Sequence, residues 1–375
     1  MFNRVSIRNA MELSEYIIQQ ISEHGPVSFR EFMEMCLYSP DQGYYTSKRN
    51  PIGQEGDFYT STNLTPVFGI TIGRQLEEMW RNMDECPFTI VEYGAGTGRL
   101  CKDILCYLKG NTKMYRQLRY CVIEKSPTMR DMQEKYLTDQ VEWHQSIAEI
   151  QGINGCILSN ELVDNFAVYR VVMQKELMEV YVDYQHGFTE ELRPAKPELK
   201  NYFSELGITL PYGYHTEINL QALDWIADVA GALNRGYVLT IDYGYQNAAM
   251  YKANRNQGTL VCYYKHTVND SCYEHIGEQD MSCHVNFSAL SHWGTKNGLK
   301  ESGFTDQGSF LTALGFRERL IQSLVAEQDI VYAAQHASAI NHALLMDMGT
   351  KYKVLIQEKG LNGKKLSGLS GCVVV

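Results

Sequence analysis

The 375-residue sequence lacks several features that mark whole classes of protein. Its apolar stretches fall far short of the roughly 20 residues of a membrane-spanning helix, so it predicts no membrane association. An excess of positive charge is also missing, because the net charge is −10 and the pI is near 5.5. Nucleic-acid binders usually carry a basic surface, so we expect no nucleic-acid partner; an acidic surface instead favours a cationic protein segment.

The cysteines form no disulfide or metal-binding pattern. Ten are present, but no C-x-x-C motif occurs, and most lie in apolar runs, as Cys121 and Cys262 do. They are typical of reduced core thiols in a cytosolic protein. His284 follows Cys283, yet no second ligand pair with zinc spacing occurs, so we predict no metal site. Residues 1–17 lack a secretory core and an acid-free transit composition, which predicts a cytoplasmic location.

Hydrophobic periodicity predicts N-terminal helices followed by an α/β domain. The first helical pattern breaks at Gly25-Pro26, and a second helix is expected to begin near Ser28 with Glu31 as its capping partner. From residue 89 onward, strands alternate with helices, which indicates parallel strands joined by right-handed crossovers.

These patterns predict three parts of the chain. They are an N-terminal helical segment with a lid-like loop (1–85), an α/β domain (86–359) and a flexible, glycine-rich tail (360–375). The domain is expected to carry insertions at about 165–236 and 245–286. The first insertion begins with a predicted hairpin, and further segments are expected to be helical: 198–235, 287–302 and 316–345.

The most informative stretch is TIVEYGAGTG, residues 89–98, where an apolar run ends at Glu92 and is followed by Gly94, Gly96 and Gly98. A strand that enters a glycine turn and then a helix lets the backbone approach a nucleotide-like ligand. A dinucleotide site would have G-x-G-x-x-G spacing, and Glu92 would repel its pyrophosphate but attract an ammonium or sulfonium. The turn therefore favours S-adenosylmethionine as the cofactor, with an ordinary tight turn as the alternative.

Glu124 ends the next strand-like run, at residues 118–125. A carboxylate at the carboxyl end of this strand can accept hydrogen bonds from both hydroxyls of a ribose. The alternative is a solvated glutamate at a strand end, and the glycine turn at the right distance favours the ribose interpretation.

Six separated motifs show that the chain resembles the MidA-like family of class I S-adenosylmethionine-dependent methyltransferases. This family includes the mitochondrial enzyme that dimethylates an arginine of a respiratory complex I subunit. The motifs span nearly the whole chain: LYSPDQGYY (37–45), GDFYTSTNLTPVFG (56–69), EYGAGTG (92–98), SNELVDNFAV (159–168), IDYG (241–244) and GEQDMSCHVNF (277–287).

The resemblance implies an α/β, Rossmann-like fold with a mostly parallel seven-stranded sheet, an N-terminal helical segment and an inserted substrate-side lobe. It also implies cofactor contacts from Gly94, Gly96, Gly98 and Glu124, and a motif after the fourth strand at Asn160-Glu161.

The chain departs from the family at two places. Relatives commonly have Asp-Ala-Leu-Pro where this chain has DNFA at 164–167, and an aspartate is frequent where Asn286 stands. These departures bear on the substrate more than on the cofactor. The resemblance also suggests a substrate-side role for Asp280 and His284.

An arginine acceptor would require carboxylates in the crevice. A guanidinium, with a pKa above about 12, becomes nucleophilic only when a nitrogen lone pair is localised and a proton can leave. Glu161, at the carboxyl end of the fourth strand, is the leading catalytic candidate; Asp164 would share its face, and Asp57 could complete the pocket. Asn160 would contact the methionine portion of the cofactor or orient Glu161.

Structural roles are the alternatives for these residues. In this alternative, residues 159–164 do no more than cap a helix, and Asp57 belongs to an ordinary turn. Asp242 could act behind the site or in a turn. Three tyrosines of the N-terminal loop could form a lid or anchor the loop: Tyr44, Tyr45 and Tyr59.

The sequence as a whole predicts an S-adenosylmethionine-dependent methyltransferase that modifies an arginine of a partner protein. A small-molecule N-methyltransferase and a non-catalytic assembly protein that retains the fold are the alternatives; a nicotinamide-dependent dehydrogenase fits the glycine spacing less well. A homodimer is compatible with the sequence.

Overall fold

Two short helices open the chain in the computed structural model, which describes residues 12–47, 60–137, 141–324 and 330–371. The Ser28 hydroxyl accepts a hydrogen bond from the Glu31 N–H, and the Glu31 carboxylate accepts one from the Ser28 N–H, so the predicted capping box is confirmed. The elements of this segment are α1 (Leu13–His24), β1 (Val27–Ser28), α2 (Phe29–Tyr38), α3 (Ser61–Leu64) and α4 (Pro66–Asn82).

Strands and helices then alternate as predicted, because each apolar strand is followed by an amphipathic helix that covers it. The elements are β2 (Phe88–Tyr93), α5 (Arg99–Leu108), α6 (Thr112–Tyr115), β3 (Leu118–Ile123), α7 (Pro127–Tyr136), β4 (Val141–His144) and β5 (Ile153–Asn160).

The first insertion forms a separate antiparallel sheet. Its predicted hairpin is present, with Met173 paired to Leu177 across the turn. Its elements are β6 (Tyr169–Met173), β7 (Leu177–Tyr184), β8 (Phe188–Pro194), α8 (Pro197–Leu206), β9 (His215–Ile218) and α9 (Leu220–Ala232). The helical prediction for 198–235 is therefore wrong at β9, where the short HTEI run pairs with β6.

The second insertion leaves the central sheet after its longest strand and carries a small three-stranded sheet. The elements from this strand to the end of the insertion are β10 (Leu233–Tyr245), α10 (Asn247–Met250), β11 (Val261–Tyr264), β12 (Thr267–Asn269), β13 (Asp280–Ser282) and β14 (Val285–Asn286).

The C-terminal part returns the chain to the central sheet. A wide, π-helical turn at His342–Asp347 precedes the last short helix. The elements are α11 (Phe287–Lys296), β15 (Lys300–Asp306), α12 (Gln307–Ala313), α13 (Phe316–Leu324), α14 (Ile330–Asn341), α15 (Met348–Lys351) and β16 (Tyr352–Lys359).

The central sheet has the order β4-β3-β2-β5-β10-β16-β15, and the short β14 adds to the end of β10. The first five strands in this order are parallel, whereas β16 runs antiparallel to both of its neighbours. The mostly parallel seven-stranded sheet is thus confirmed. Because the chain proceeds from β2 to β3 on one side and β5 lies on the other, a crevice opens at the carboxyl ends of β2 and β5.

The N-terminal helices and the two insertions share one hydrophobic core. Residues of α1 and α2 pack with residues of both insertions, and β1 pairs antiparallel with β7. The buried side chains of this core include Ile17, Phe32, Val168, Val182, Cys262 and Met281. We call the N-terminal helices together with the two insertions the composite lobe.

The C-terminal segment differs from the flexible tail that its composition predicts. Leu366 is only 1% exposed, and the Ser367 N–H and hydroxyl donate to the Glu78 carboxylate. The Gly368 N–H donates to the Gln75 side chain. Residues 366–369 are thus packed on α4 and α12, because Leu366 and Leu369 reach the core, whereas residues 362–365 are exposed.

No helix in the described part of the chain is both long and apolar enough to cross a membrane.

The packed C-terminal segment makes a prediction about stability. Substitution Leu366→Ala should lower the free energy of unfolding by about 2–4 kcal/mol, because it leaves a cavity beside the core. Urea denaturation measures this change. The exposed Lys364→Ala is the control and should change stability by less than about 0.5 kcal/mol; equal stabilities for both variants would contradict the packing.

Candidate active site

The glycine turn has the backbone that the sequence predicts. Gly94, Gly96 and Gly98 have φ angles of +63°, +52° and +79°, in the left-handed region that favours glycine. A Cβ at Gly98 would also lie 3.2 Å from Leu137. The turn joins β2 directly to α5, and a Cβ at Gly94 would lie 3.0 Å from Leu162.

Glu124 lies beside this turn at the end of β3. Its Oε1 accepts from the Ser126 N–H at 2.9 Å, and its Oε2 accepts from Gln133 Nε2 at 3.0 Å. Gln133 also donates to the Gly96 carbonyl at 2.8 Å, and Trp143 donates to Gln133 Oε1. Gln133 therefore connects the predicted ribose ligand to the glycine turn and fixes the distance between them.

Glu92 lies beneath the turn rather than in the open crevice. It is 2% exposed, and its Oε2 accepts from the Tyr120 hydroxyl at 2.6 Å. Burial raises its pKa to about 7, although the tyrosine hydrogen bond acts in the opposite direction. A direct cofactor contact from Glu92 stays a prediction.

Glu161 follows β5 in a strained conformation. Its φ of +53° is unusual for a residue other than glycine and costs on the order of 1–3 kcal/mol. Its backbone N–H donates to the Ile241 carbonyl. This geometry turns the Glu161 side chain toward the crevice, and burial raises the pKa of its carboxyl.

Three donors hold the Glu161 carboxylate. The Ser61 N–H and Asn160 Nδ2 donate to Oε1 at 3.0 and 3.1 Å, and the Tyr352 hydroxyl donates to Oε2 at 3.0 Å. The Asn160 Oδ1 is buried and has no hydrogen-bond partner within the described residues. Asn160 thus contacts Glu161, and its role in orienting Glu161 or in binding the cofactor stays a prediction.

Asp164 and Asp242 form a buried carboxyl pair behind Glu161. Asp242 Oδ2 accepts the N–H groups of Leu162 and Val163 at 3.1 and 2.8 Å, so Asp242 fixes the turn that follows β5. Burial raises the pKa of Asp242 to about 7. Burial and the nearby Asp242 charge raise the pKa of Asp164 well above its usual range, and Asp164 Oδ1 has no partner in the described part.

Tyr45 extends from the N-terminal loop to both sides of the crevice. Its hydroxyl donates to Asp280 Oδ1 at 2.8 Å, and its carbonyl accepts from the Ser126 hydroxyl at 3.1 Å. Its ring stacks on Tyr38, with centroids 5.7 Å apart. Tyr44 is buried at 4% exposure, so Tyr44 and Tyr45 anchor this loop to the composite lobe.

Two predicted residues, Asp57 and Tyr59, lie outside the described residues. His284 packs against the rings of Tyr243 and Tyr245, and burial lowers its pKa to about 4. An imidazole in this environment is neutral at physiological pH.

Sequence reasoning missed three residues that organise the site: Ser61, Gln133 and Tyr352. Ser61 and Tyr352 bind the carboxylate of Glu161 from 100 and 191 residues away, and such contacts leave no local signal. Gln133 is fully buried and occupies a position of α7 where the helical pattern calls for an apolar residue. A polar residue at such a position is the one sequence signal that could have identified Gln133 as a site residue.

One possible metal-binding triplet lies away from the crevice. Within the described residues, ligand atoms of Cys121, Glu142 and His144 lie within 4.8 Å of one another. Arg119 already binds the Glu142 carboxylate through Nε and Nη2, and its positive charge disfavours a metal ion there.

Comparisons with known proteins bear on the family and the fold. Residues 71–305 match a family model described as "Putative S-adenosyl-L-methionine-dependent methyltransferase". The chain is 24% identical to a Drosophila melanogaster protein named "Protein arginine methyltransferase NDUFAF7 homolog, mitochondrial", over 93% of this chain and 85% of that protein. A Caenorhabditis elegans protein of the same name is 26% identical, over 91% and 85% of the two chains.

A crystal structure shares the fold over nearly its whole length. It is that of a COG1565 superfamily member from Burkholderia thailandensis bound to S-adenosyl-homocysteine. The TM-score is 0.85 at 27% identity, and the match covers 96% of this chain and 94% of that chain.

The names of the relatives correct one prediction. The fly and worm proteins, and the Bos taurus protein of the same kind, are named mitochondrial, which contradicts the cytoplasmic location predicted from the sequence. The prediction relied on the acidic residues within 1–17, and composition is a weak criterion for a targeting segment.

The buried Glu92 makes the stability of the protein depend on pH. Its pKa of about 7 in the folded state exceeds that of the unfolded chain, so its stabilising contribution is complete below about pH 4 and is lost as the pH rises through 7. In Glu92→Gln, the Tyr120 hydroxyl keeps an acceptor. From pH 5 to pH 8, the free energy of unfolding of this variant should fall by about 2 kcal/mol less than that of the wild type. Urea denaturation at both pH values measures this difference. Parallel losses in both proteins would contradict the assignment.

Proposed function

Because this chain belongs to the family of S-adenosyl-L-methionine-dependent methyltransferases, we propose that it transfers a methyl group to an arginine guanidinium of a partner protein. The observation that carries this proposal is the group of carboxyl side chains at the carboxyl ends of β5 and β10. Within the described residues, no lysine or arginine forms an ion pair with Glu161, Asp164 or Asp242. Buried carboxylates without a cation favour a positively charged ligand.

The residues around the glycine turn fit the cofactor. The backbone of Gly94, Gly96 and Gly98 would lie against the adenosine and methionine portions, and Glu124 would accept the ribose hydroxyls. The free Oδ1 of Asn160 is a suitable acceptor for the ammonium group of the methionine portion. Glu92, beneath the turn, would add negative potential that favours a cationic sulfur over a pyrophosphate.

The hydrogen bonds around Glu161 suggest how a guanidinium would be held. A carboxylate offers about four lone-pair sites, and three are already used. A bidentate grip by Glu161 alone would have to break one of these bonds. We therefore propose that the guanidinium lies between Glu161 Oε2 and the free Asp164 Oδ1.

The chemical step needs alignment and a place for one proton. When bound, S-adenosylmethionine supplies a methyl group on a positively charged sulfur, which is transferred by in-line displacement. Glu161 would bind the other nitrogen atoms of the guanidinium and so localise the lone pair of the attacking nitrogen. An ionised member of the Asp164–Asp242 pair would accept the leaving proton, because the raised pKa of a buried carboxyl makes its ionised form a stronger base.

The location and partner follow from the same relatives. Their names describe mitochondrial protein arginine methyltransferases, so we propose a mitochondrial location and a protein substrate. A homodimer and the absence of nucleic-acid partners stay predictions from the sequence. A small cationic amine is the second candidate substrate, because the same carboxylates could hold it.

Glu124 tests the cofactor site. We expect Glu124→Gln to weaken binding of S-adenosylhomocysteine by about 10-fold to 100-fold, because hydrogen bonds from two ribose hydroxyls to a charge are lost. Isothermal calorimetry measures the affinity. Glu134→Gln, on the exposed side of α7, is the control and should bind like the wild type; an unchanged affinity in Glu124→Gln would remove Glu124 from the site.

Glu161 tests the proposed reaction. The purified protein is incubated with methyl-labelled S-adenosylmethionine and a mitochondrial extract of the source organism, and methylated peptides are identified by mass spectrometry. Glu161→Gln should lower the initial rate of labelling by about 100-fold or more while the affinity for S-adenosylhomocysteine stays within about twofold, because the amide cannot neutralise the guanidinium.

The control for Glu161 is Glu198→Gln on the exposed surface of α8, which should label normally. Normal labelling by Glu161→Gln would contradict the role of Glu161. Label found in a small molecule instead of a peptide would favour the second candidate substrate.

A further inference from the structure

Tyr352, the first residue of β16, meets Glu161 across the crevice, and its hydroxyl donates to Glu161 Oε2 at 3.0 Å. We propose that Tyr352 is a positioning residue, which directs the remaining lone pair of Glu161 Oε2 toward the cationic substrate. This inference rests on the proposed function of Glu161 and extends it to a residue of the antiparallel strand.

The geometry of Glu161 explains why a positioning residue is needed. The residue has a left-handed backbone, and the two donors on Oε1 fix only one end of its carboxylate. Among the described residues, the Tyr352 hydroxyl is the one side-chain donor with a hydrogen bond to Oε2, so we infer that it fixes the position of this oxygen. Without this hydroxyl, the carboxylate keeps its donors on Oε1 but loses the hydrogen bond that holds Oε2.

The surrounding fold fixes the tyrosine itself. Tyr352 pairs with Tyr243 in the register of β16 and β10, and the two rings lie 5.5 Å apart. The π-helical turn at His342–Asp347 ends only a few residues earlier and packs closely on α12, where a Cβ on Gly308 would lie 2.4 Å from the Leu345 carbonyl. Wide helical turns of this kind frequently occur at functional sites.

One side chain of α12 connects this turn with the other end of Glu161. Gln307 is fully buried, and its Nε2 donates to the Leu344 carbonyl of the π-helical turn at 3.4 Å. Its Oε1 accepts from the Ser61 hydroxyl at 3.5 Å, and the Ser61 N–H binds Glu161. The same C-terminal segment thus supports the donors on both oxygens of Glu161.

The charges around Glu161 determine what removal of the hydroxyl should do. The titratable groups that interact with Glu161 are Asp164 from the turn after β5, Asp242 from β10 and Tyr352 from β16. Burial favours the protonated form of Glu161, whereas the Tyr352 hydroxyl stabilises the carboxylate and lowers its pKa. Loss of the hydroxyl should therefore raise the pKa of Glu161.

The variant Tyr352→Phe tests this inference, because it removes one oxygen and keeps the ring. Initial labelling rates are measured from pH 6 to 9 with labelled S-adenosylmethionine and the same mitochondrial extract. We expect a rate about 10-fold lower at neutral pH and an acid limb shifted upward by about one pH unit. Affinity for S-adenosylhomocysteine, which also reports correct folding, should stay within about twofold.

Tyr107→Phe is the matched control, since the Tyr107 hydroxyl donates to the Glu77 carboxylate at 2.7 Å on the far side of the glycine turn. It should leave both the rate and the pH profile unchanged. An inactive Glu161→Gln together with a wild-type pH profile in Tyr352→Phe would overturn the positioning role alone. An active Glu161→Gln would overturn the proposed role of Glu161 and this inference with it.

Discussion

Buried negative charge without a compensating cation is the constraint on which the site depends. Glu161, Asp164 and Asp242 meet where β5 and β10 end, and no lysine or arginine of the described chain pairs with them. Such a group is tolerated only if protons, backbone N–H groups or a ligand neutralise it. In this protein, backbone N–H groups bind Asp242, and the pKa values of all three carboxyls are raised.

The composite lobe protects that charge from water. The N-terminal helices and both insertions form one hydrophobic core, and Tyr45 extends from it to the Glu124 turn on one side and to Asp280 on the other. Tyr45 therefore connects the turn after β3 with the second insertion. Displacement at a sulfonium needs a dry, aligned site, and a cover of this kind would serve the proposed reaction.

The sequence predicted the parts whose signals are local. Glycines at 94, 96 and 98, the capping box at Ser28 and the hairpin before β7 each follow from neighbouring residues, and the structure has all three. The KESGFTD run of β15 lacks apolar alternation, so its strand character comes from pairing with β16 and was missed. Ser61 and Tyr352 reach Glu161 only through the tertiary fold, which no local pattern encodes.

Proton balance connects the electrostatics with the reaction. In the absence of a cation, the Asp164–Asp242 pair retains a proton, because two buried carboxylates cannot both ionise at low cost. A guanidinium that enters would replace this proton as the neutralising charge. The free-energy cost of burying the acids would then be offset by the proton before binding and by the guanidinium after it. In the proposed reaction, methyl transfer would release a proton from the substrate nitrogen, and a carboxyl pair that had lost its own proton on binding could take it. The proton balance that stabilises the buried acids would thus also prepare an acceptor for the product proton.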